Sequence, residues 1–388
     1  MKPFYIYNII IPLLSLTNVY SYYIPETNHN ITNITSFAFG SCYNLKKTIS
    51  KYTIFNEISK TSPDVFLWLG DAAYVRYAPE SKYKLIRKYQ QTFNIFNPFN
   101  KTRVLRQYNN TKLSPDYASF NKHFPTIGVW DDNDYGQNDG NGHFPYKDQM
   151  KEIFLDFLDE PKDSIRRTQN RPIYATYVFG DVHSHRNIRV ILLDVRYNKS
   201  RLIDKERDVL GEEQWEWFEN VLSKSNETFI LIASGTQILP IDRLFSEAWF
   251  PESRIRLFKL IEKTKKEGIV LLTGDIHNGQ ILKTPCVIEG IGYDLYEITS
   301  SGLGHYCKPK CDIIIDYILP RMYKVSNVYI YNAYSSQKQL IIIITHNCIS
   351  IGEKQKNLQV LQYISLILME RSERIILYHI IRSKGIIC

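Results

Sequence analysis

Short apolar segments that end in small or acidic residues recur along the chain, and this pattern constrains the fold more than any other feature. Each segment is bounded by turn-forming residues, which is typical of buried strands. The predicted strands are 36–40, 65–69, 126–129, 188–193, 229–233 and 270–273. Between them, 48–60, 147–158 and 212–222 carry apolar residues at three- and four-residue steps, which predicts helices. Strands that alternate with helices predict an α/β fold with central sheets.

The residues directly after these strands carry the functional prediction. Acidic, thiol or hydroxyl side chains follow all six strands: Cys42, Asp71, Asp131–Asp134, Asp194, Ser234 and Asp275. In α/β sheets, ligands bind at the carboxyl ends of the strands. One polar residue at such a position means little, but six strands that end in the same way indicate one converging site.

Composition limits the classes of partner. The 388 residues are 44% hydrophobic with a net charge of +8, which suits one large domain or two small ones. Lys and Arg are scattered, so a solvated basic surface is the simplest interpretation, and a basic field that attracts anionic substrates is the alternative. We find no DNA- or RNA-binding motif, which argues against a specific nucleic-acid partner. The sequence does not indicate an oligomeric state.

The two ends of the chain differ from the middle. Residues 1–21 have a Lys near the start, an apolar run over 9–16 and small residues near 19–21, which predicts a secretory signal peptide. An uncleaved membrane anchor is the alternative, and only in that case is membrane association expected. We place the main domain at 22–344. Residues 345–388 are Ile- and Lys-rich, and their pattern fits either a final sheet edge with a helix or a divergent tail.

A secretory route has consequences for the cysteines and asparagines. Cys286, Cys307 and Cys311 are able to form one disulfide with one thiol left over in an oxidising compartment. Several Asn-x-Ser/Thr sequons, such as Asn30 and Asn198, agree with a secreted glycoprotein, although an Asn-rich chain produces them by chance.

Two strand ends offer anionic ligands. Cys42 stands in a tight turn after the first strand, where it is either a thiolate ligand or a buried structural cysteine. The Gly-Asp-x-x-Tyr sequence at 70–74 presents the Asp71 carboxylate at the sheet edge, where its two oxygens can bridge two cations. Tyr74 reaches the same point if the following turn is helical. The alternative is an Asp helix cap followed by a packed tyrosine.

The segment 130–140 concentrates negative charge. It contains four Asp residues and two Asn residues, an arrangement that is costly unless cations occupy it. Oxygen ligands of this kind suit calcium or magnesium, although the spacing does not fit an EF-hand. A loop built from Asx turns is the alternative interpretation.

Three further candidates follow later strands. Asp275 and His277 project to the same side if the strand continues, and together they can serve two neighbouring metals. Arg196 lies just past a strand end, where its guanidinium is able to hold a phosphate or to form a surface ion pair. Gln237 stands in a turn of small residues, where it is either a neutral oxygen ligand or a residue of the turn alone.

Taken in order, these motifs resemble those of a known family. They are Gly-Ser-Cys at 40–42, Gly-Asp-x-x-Tyr at 70–74, Trp-Asp-Asp-Asn-Asp-Tyr-Gly-x-Asn-Asp at 130–139, Leu-Asp-x-Arg at 193–196, Gly-Glu-Glu-Gln-Trp-x-Trp at 211–217, Gly-Asp-x-His at 274–277 and Thr-Ser-Ser-Gly at 299–302. The chain resembles the PhoD-like (alkaline phosphatase D) metallophosphatases of the calcineurin-like phosphoesterase superfamily, over roughly residues 36–310.

The resemblance implies a fold and a metal centre. The implied fold is the four-layer αββα sandwich of the calcineurin-like type. The implied cofactors are a ferric ion with one or two calcium ions, and other divalent metals are an alternative. By motif match, the iron ligands are Cys42, Asp71, Tyr74 and His277. The calcium ligands are Asp71 as the bridge, Asp132, Asp275 and Asn138.

Two departures from the family pattern matter. The family has a histidine where Asn133 stands, and that histidine orients substrate or protonates the leaving group. An amide can donate a hydrogen bond but cannot transfer a proton at neutral pH. The family also ends with an Asn-Phe-Gly strand that closes a sheet, and we do not find it after 327–334.

The resemblance implies metal-dependent hydrolysis of phosphate monoesters, in which a metal-bridging hydroxide attacks phosphorus and Arg196 neutralises the developing charge. The expected partners are small phosphate esters or lipids. Two alternatives stay open. One is phosphodiesterase or phospholipase D-like activity at the same site. The other, supported by Asn133, is a catalytically weak protein that binds phosphate.

Overall fold

The structure of the chain is a computed structural model. It describes residues 36–45, 54–75, 98–168, 170–181, 186–240, 247–284, 291–304, 329–334, 341–351, 359–369 and 375–381. The predicted signal peptide at 1–21 and the cysteines Cys286, Cys307 and Cys311 lie outside these ranges. Within them, no helix combines the length and the apolar character that crossing a membrane requires.

The described ranges alternate strands and helices, as the sequence predicts. The strands are β1 (Ser36–Gly40), β2 (Val65–Leu69), β3 (Thr126–Val129), β4 (Ala175–Asp181), β5 (Arg186–Leu192), β6 (Phe229–Ser234), β7 (Ile269–Thr273), β8 (Gly279–Thr284), β9 (Leu295–Ser300), β10 (Tyr329–Tyr334), β11 (Ile341–Ile351), β12 (Gln359–Met369) and β13 (Ile375–Ile381). The helices are α1 (Ile54–Ser59), α2 (Lys101–Lys112), α3 (Pro115–His123), α4 (Asp132–Tyr135), α5 (Lys147–Phe157), α6 (Glu212–Lys224) and α7 (Pro251–Thr264), with a 3₁₀ turn at Ile165–Arg167.

All six predicted strands are confirmed to within two residues at each end, as are the predicted helices 147–158 and 212–222. Of the predicted helix 48–60, the structure describes the part from Ile54, where α1 begins. The strands were recognisable because β2, β3, β6 and β7 are buried along their whole length. A strand covered on both faces reads as a continuous apolar run.

The strands form two mixed sheets. In the first sheet the order is β13-β12-β11-β1-β2-β3, and in the second it is β10-β8-β9-β7-β6-β5-β4. Strands β1, β2 and β3 are parallel, and so are β5, β6, β7 and β9. The chain is therefore an α/β fold whose central strands all run in one direction within each sheet.

Three apolar clusters hold the layers together. The first cluster contains one face of β1–β3 and one face of β4–β9, so it lies between the two sheets. The second packs α1, α2, α3 and α5 on the other face of β1 and β2. The third packs α6 and α7 on the outer face of β5–β8. Alternate residues of one strand serve different clusters: Phe37 and Phe39 face the opposite sheet, whereas Ala38 faces the helices.

The sequence left residues 345–388 open between a sheet edge with a helix and a divergent tail. In the described ranges this region is β-sheet. Strand β11 pairs antiparallel with β1, β12 pairs with β11, and β13 pairs with β12. The pairing of Thr345 with Ser36 continues directly from that of Ile344 with Phe37. The boundary predicted between residues 344 and 345 therefore falls inside a strand of the first sheet.

Candidate metal centre

The ends of the parallel strands from both sheets converge on one group of side chains. Cys42 follows β1, Asp71 follows β2, and His277 follows β7. Ligand atoms of these three residues all lie within 4.8 Å of one another, and Cys42 Sγ is 3.6 Å from Asp71 Oδ2. The Tyr74 hydroxyl lies 3.4 Å from His277 Nε2. A thiol, a carboxylate, an imidazole and a phenol thus meet in one place, although up to 235 residues separate them in sequence.

A second group shares Asp71 with the first. Carboxylate oxygens of Asp71, Asp131 and Asp132 also lie within 4.8 Å of one another, and all three residues are buried. Asp71 belongs to both groups, which is the position that a bridging ligand between two cations requires. Asp132 Oδ2 also accepts a hydrogen bond of 2.8 Å from the backbone N–H of Asp139. This contact keeps the loop that carries Asn138 beside the acidic group.

Asn133 is directed at the two carboxylates. Its Nδ2 lies 2.7 Å from Asp71 Oδ2 and 2.7 Å from Asp132 Oδ1, and its backbone N–H donates to Asp71 Oδ1 over 3.2 Å. The amide therefore links the bridging candidate Asp71 to Asp132. Asn133 therefore lies within the acidic group, and its N–H groups donate to carboxylates that are candidate metal ligands.

Two carboxylate oxygens favour occupation of the site by cations. Oδ2 of Asp131 and Oδ2 of Asp275 are buried and have no hydrogen-bond partner among the described residues. Burial, together with the charges of Asp131 and Asp132, raises the pKa of Asp275 above its ordinary value. Burial and the charge of Asp132 likewise raise the pKa of Asp71. Buried carboxylates without compensating charge are costly, so this donor set fits cations.

The thiol and the phenol fit the same interpretation. Cys42 is a free thiol, fully buried. Burial and the charge of Asp71 raise its pKa, and burial also raises the pKa of Tyr74. A coordinated cation reverses this tendency because it stabilises the anionic form of each ligand. Anionic sulfur and phenolate oxygen beside an imidazole are ligands suited to a transition metal.

The backbone at these residues is strained. Cys42, Asp71, Asp275 and His277 have φ angles of 62°, 56°, 71° and 60°, in the left-handed region that non-glycine residues rarely adopt. Such conformations persist where surrounding structure enforces them, and they cluster at functional sites. Four of the candidate ligands share this strain.

Two glycines allow the strand ends to approach this closely. A Cβ on Gly70 would lie 2.3 Å from Cβ of Asp131, and a Cβ on Gly274 would lie 2.5 Å from the Leu69 carbonyl oxygen. Gly70 also has a φ of 92°. The glycine in each Gly-Asp motif is therefore required by packing between neighbouring strand ends, in addition to turn formation.

Arg196, for which the sequence left open a phosphate contact or a surface ion pair, forms ion pairs that are buried. Its guanidinium is fully buried, with Nε donating to Asp131 Oδ1 over 2.7 Å and Nη1 donating to Glu247 Oε2 over 2.6 Å. Nη1 also donates to the Gly140 carbonyl oxygen, and Lys199 forms an ion pair with Glu247. Burial raises the pKa of Asp131 to about 6, and Arg196 opposes that rise. The guanidinium holds a carboxylate of the acidic group.

The turn that carries Arg196 is built by Asp194. Asp194 Oδ1 accepts hydrogen bonds from the backbone N–H groups of Arg196 and Tyr197 and from Trp130 Nε1, each at 2.8–3.0 Å. Gln214 bonds both the N–H and the carbonyl oxygen of Asp194. Within the Leu-Asp-x-Arg motif, the acid therefore shapes the turn and the arginine supports the metal centre.

The side-chain oxygen of Gln237, Oε1, is buried and has no hydrogen-bond partner among the described residues, whereas its amide nitrogen is bonded. Its Nε2 donates to Gln280 Oε1 over 3.1 Å and to Thr299 Oγ1 over 2.6 Å, inside a buried polar network. Glu297 completes this network by accepting from the backbone N–H groups of Ile238 and Leu239. The network fixes the loop after β6, and the Gln237 amide is part of its support.

Sequence reasoning singled out neither Asp131 nor Ser301 as an individual site residue. Asp131 belongs to the acidic run at 131–134, and nothing in the sequence indicates which acid of that run bonds Arg196. Ser301 Oγ lies 3.1 Å from Cys42 Sγ. The Thr-Ser-Ser-Gly sequence at 299–302 was its only signal.

A thiol, an imidazole, a phenol and a shared carboxylate at the joined ends of two mixed sheets form a candidate metal centre in an α/β protein. The chain belongs to the PhoD-like phosphatase family, whose sequence profile matches residues 37–286. It is 25% identical over 324 residues to alkaline phosphatase D of Bacillus subtilis (strain 168), a match that covers 72% of this chain and 53% of that protein. The chain therefore spans about half the length of this relative.

A solved structure has a fold similar to that of this chain. A solved structure of PhoD superposes with a TM-score of 0.61 at 15% identity, covering 89% of this chain and 73% of the other. The similarity in fold extends beyond the residues matched by the family profile, and the family assignment rests on the sequence.

Proposed function

We propose that the chain is a metal-dependent phosphoesterase that hydrolyses phosphate monoesters. The observation that carries the proposal is the position of Asp71, which belongs to two adjacent groups of candidate ligands. Two cations that share a carboxylate are the arrangement used for in-line hydrolysis of phosphate esters. Membership of a phosphatase family supports the same reaction class. We also assign the chain to the four-layer αββα sandwich of the calcineurin-like type, since helices cover the outer face of each sheet.

We assign the ligands by chemistry. Cys42, Tyr74 and His277, with Asp71, would hold a ferric ion, because anionic sulfur and phenolate oxygen stabilise the trivalent state. Asp132, Asp275 and Asn138, with Asp71 as the bridge, would hold calcium through oxygen. When bound, the ions supply Lewis acidity toward the phosphate oxygens and toward water.

The remaining residues orient these ligands. Asn133 donates hydrogen bonds to the carboxylates of both Asp71 and Asp132, and Arg196 holds Asp131 beside them. Neither side chain transfers a proton at neutral pH. The leaving group must therefore depart without a proton from position 133, and esters with acidic leaving groups should react fastest.

The test is hydrolysis of p-nitrophenyl phosphate by the purified full chain, with metal content measured on the same sample. We expect bound iron and calcium, loss of activity on chelation, and a decrease of more than about a hundredfold in Asp71→Asn. Asp163→Asn, which alters an exposed carboxylate, is the matched control. Activity that survives both chelation and Asp71→Asn would contradict the proposal. Faster turnover of bis(p-nitrophenyl) phosphate would assign the site to diesters, in line with the phospholipase D-like alternative.

One observation favours a second candidate, a phosphate-binding protein with weak turnover. The side chain at position 133 is an amide whose Nδ2 is occupied by Asp71 and Asp132. Such a protein would bind inorganic phosphate and metal at normal affinity while hydrolysing p-nitrophenyl phosphate at a rate close to that of free metal ions. Calorimetric titration with phosphate, beside the hydrolysis assay, separates the two candidates.

We also propose that the protein follows the secretory route, on the basis of residues 1–21 alone. The sequons would then carry glycans. Expression of the full chain in a secreting cell, followed by N-terminal sequencing of the product in the medium, tests this proposal. Retention of residue 1 in a membrane fraction would support the anchor alternative.

A further inference from the structure

Ser301 contacts two candidate ligands that come from different sheets. Its Oγ lies 3.1 Å from Cys42 Sγ and accepts a hydrogen bond of 2.8 Å from the backbone N–H of His277. Cys42 follows β1 of the first sheet, and His277 follows β7 of the second sheet. The hydroxyl therefore sits where the two halves of the metal centre join.

The backbone around Ser301 fixes the hydroxyl in this place. Ser301 forms a bridge with Ser41, and the N–H groups of Gly302 and Leu303 donate to the Ser41 carbonyl oxygen over 3.2 and 3.0 Å. On the other side, the Ser301 N–H donates to the Asn278 carbonyl oxygen over 3.2 Å. The segment is thus anchored both to the residue before Cys42 and to the residue after His277.

The hydrogen-bond directions follow from the number of protons. A serine hydroxyl has one proton and two lone pairs. The His277 N–H occupies a lone pair, so the proton of Ser301 is free to point at sulfur. Ser41 Oγ is 3.6 Å from Cys42 Sγ, and its one proton also lies within reach of the Ser300 carbonyl oxygen at 3.2 Å. Of the two hydroxyls, that of Ser301 makes the shorter contact with the sulfur.

We propose that Ser301 is a positioning residue of the metal centre. Its hydroxyl donates to the Cys42 thiolate and holds the backbone of His277, so it aligns two ligands from two sheets and limits how strongly sulfur donates electrons to the ion. This inference rests on the proposed function, because it requires an ion at Cys42. Hydrogen bonds to a ligating sulfur are known to set the electronic properties of metal sites.

Removal of the hydroxyl has two consequences. The lone pairs of an unbonded thiolate rise in energy, so the sulfur-to-metal charge-transfer band moves to longer wavelength. The strained His277 backbone also loses the acceptor for its N–H, so the imidazole is held less firmly. Loss of a residue that orients a metal ligand typically lowers metal affinity by about 10–100-fold.

The experiment is titration of the metal-free full chain with Co²⁺, because a thiolate-to-cobalt band reports directly on Cys42. We compare wild type with Ser301→Ala, with Ser301→Thr, which keeps the hydroxyl, and with Ser253→Ala. The last variant is a matched control because Ser253 is a buried serine whose hydroxyl accepts from the Val209 N–H and donates to Asp208, away from the candidate ligands. We expect a band at longer wavelength and a Kd for Co²⁺ about 10–100-fold higher in Ser301→Ala alone.

A Ser301→Ala band at the wild-type wavelength with the wild-type Kd would overturn the proposal, and so would an equal shift in Ser301→Thr. If Ser301→Ala does not fold, Ser301→Gly carries the same expectation. A wild-type cobalt band that shifts in Ser301→Ala, in a protein that hydrolyses no phosphate ester, would refute the proposed function and leave the role of Ser301 supported. Absence of a sulfur-to-cobalt band in wild type would overturn the role of Ser301 whatever the hydrolysis rate.

Discussion

Replacement of Arg196 by methionine (Arg196→Met) removes a cation that two carboxylates share beside the candidate metal centre. The guanidinium is completely buried, and Nε and Nη2 each lie 2.7 Å from Asp131 Oδ1. Nη1 lies 2.6 Å from Glu247 Oε2. Methionine fills a similar volume without charge, so the change tests the ion pair and leaves little cavity.

The loss in the free energy of unfolding depends on which ion-pair partner each carboxylate keeps after the substitution. Glu247 keeps Lys199 as an ion-pair partner, so its charge stays compensated. Asp131 is buried and loses the cation that opposes the rise in its pKa. Breaking a buried pair in this way costs about 3–5 kcal/mol in the free energy of unfolding. At about 2–3 °C per kcal/mol for a large domain, the melting temperature should fall by roughly 6–15 °C.

A second buried arginine provides the matched control. Arg166 pairs with Glu160 at 2.9 Å and also donates to the carbonyl oxygens of Ile173 and Gly128. Arg166→Met should lower the melting temperature by a similar amount. Because neither Arg166 nor Glu160 contacts a candidate ligand in the described structure, the folded variant should keep its metal content.

The assay is thermal unfolding by circular dichroism, together with metal per folded molecule by elemental analysis. Arg196→Met should lose about 10–100-fold in metal affinity beyond its loss of stability, since Asp131 is no longer held. The reasoning is refuted if Arg196→Met melts at the wild-type temperature. It is also refuted if both variants retain metal equally when measured well below their melting temperatures.

Three further predictions concern the same centre. Gly70→Ala should lower the free energy of unfolding by more than about 2 kcal/mol, because the added Cβ meets Asp131. Gly292→Ala is the control: Gly292 also has a positive φ but has open space around it, so its loss should be only about 1–2 kcal/mol. Urea unfolding measures both losses, and equal losses would contradict the packing argument. Asn133→His should raise kcat for phosphate esters with poor leaving groups by at least about tenfold and change p-nitrophenyl phosphate turnover little; a uniform change across leaving groups would argue against a missing proton donor. Cys42→Ser should remove the sulfur-to-iron part of the visible absorption of the iron-loaded protein, leave the part that comes from Tyr74, and keep calcium bound; a visible spectrum identical to that of wild type would exclude sulfur as a ligand.

The fold could be predicted where burial is uniform. Strands such as β2 and β7 are apolar on both faces and stop at a Gly-Asp turn, so both their extent and their ends are visible in the sequence. Strands β8 and β9 were not predicted because they bury polar residues. Gln280, Glu297 and Thr299 are fully buried in the network beneath the loop after β6, and they break the apolar run that marks a buried strand.

Convergence of the candidate ligands could be predicted for a different reason. Parallel strands present their carboxyl ends at one edge, so any residue directly after such a strand reaches that edge. This argument needs only the direction of each strand, which the alternation with helices supplies. It predicts that Cys42 and Asp71 converge, and the resemblance to the PhoD-like family adds His277 to them; the structure brings ligand atoms of all three within 4.8 Å of one another.

The direction of the strands does not predict which way each individual side chain points. Asp71 lies two residues after β2 and Arg196 four residues after β5, yet Asp71 lies within the centre and Arg196 supports it from outside. The difference is set by Glu247, which is 51 residues away from Arg196 in sequence. Glu247 and Asp131 both accept hydrogen bonds from the Arg196 guanidinium. A buried cation beside two acids is already compensated, so it has little capacity left for a phosphate. Arg196 lowers the pKa of Asp275 but forms its ion pairs with Asp131 and Glu247, so Asp71 and Asp275 are the buried acids whose charge calls for an ion.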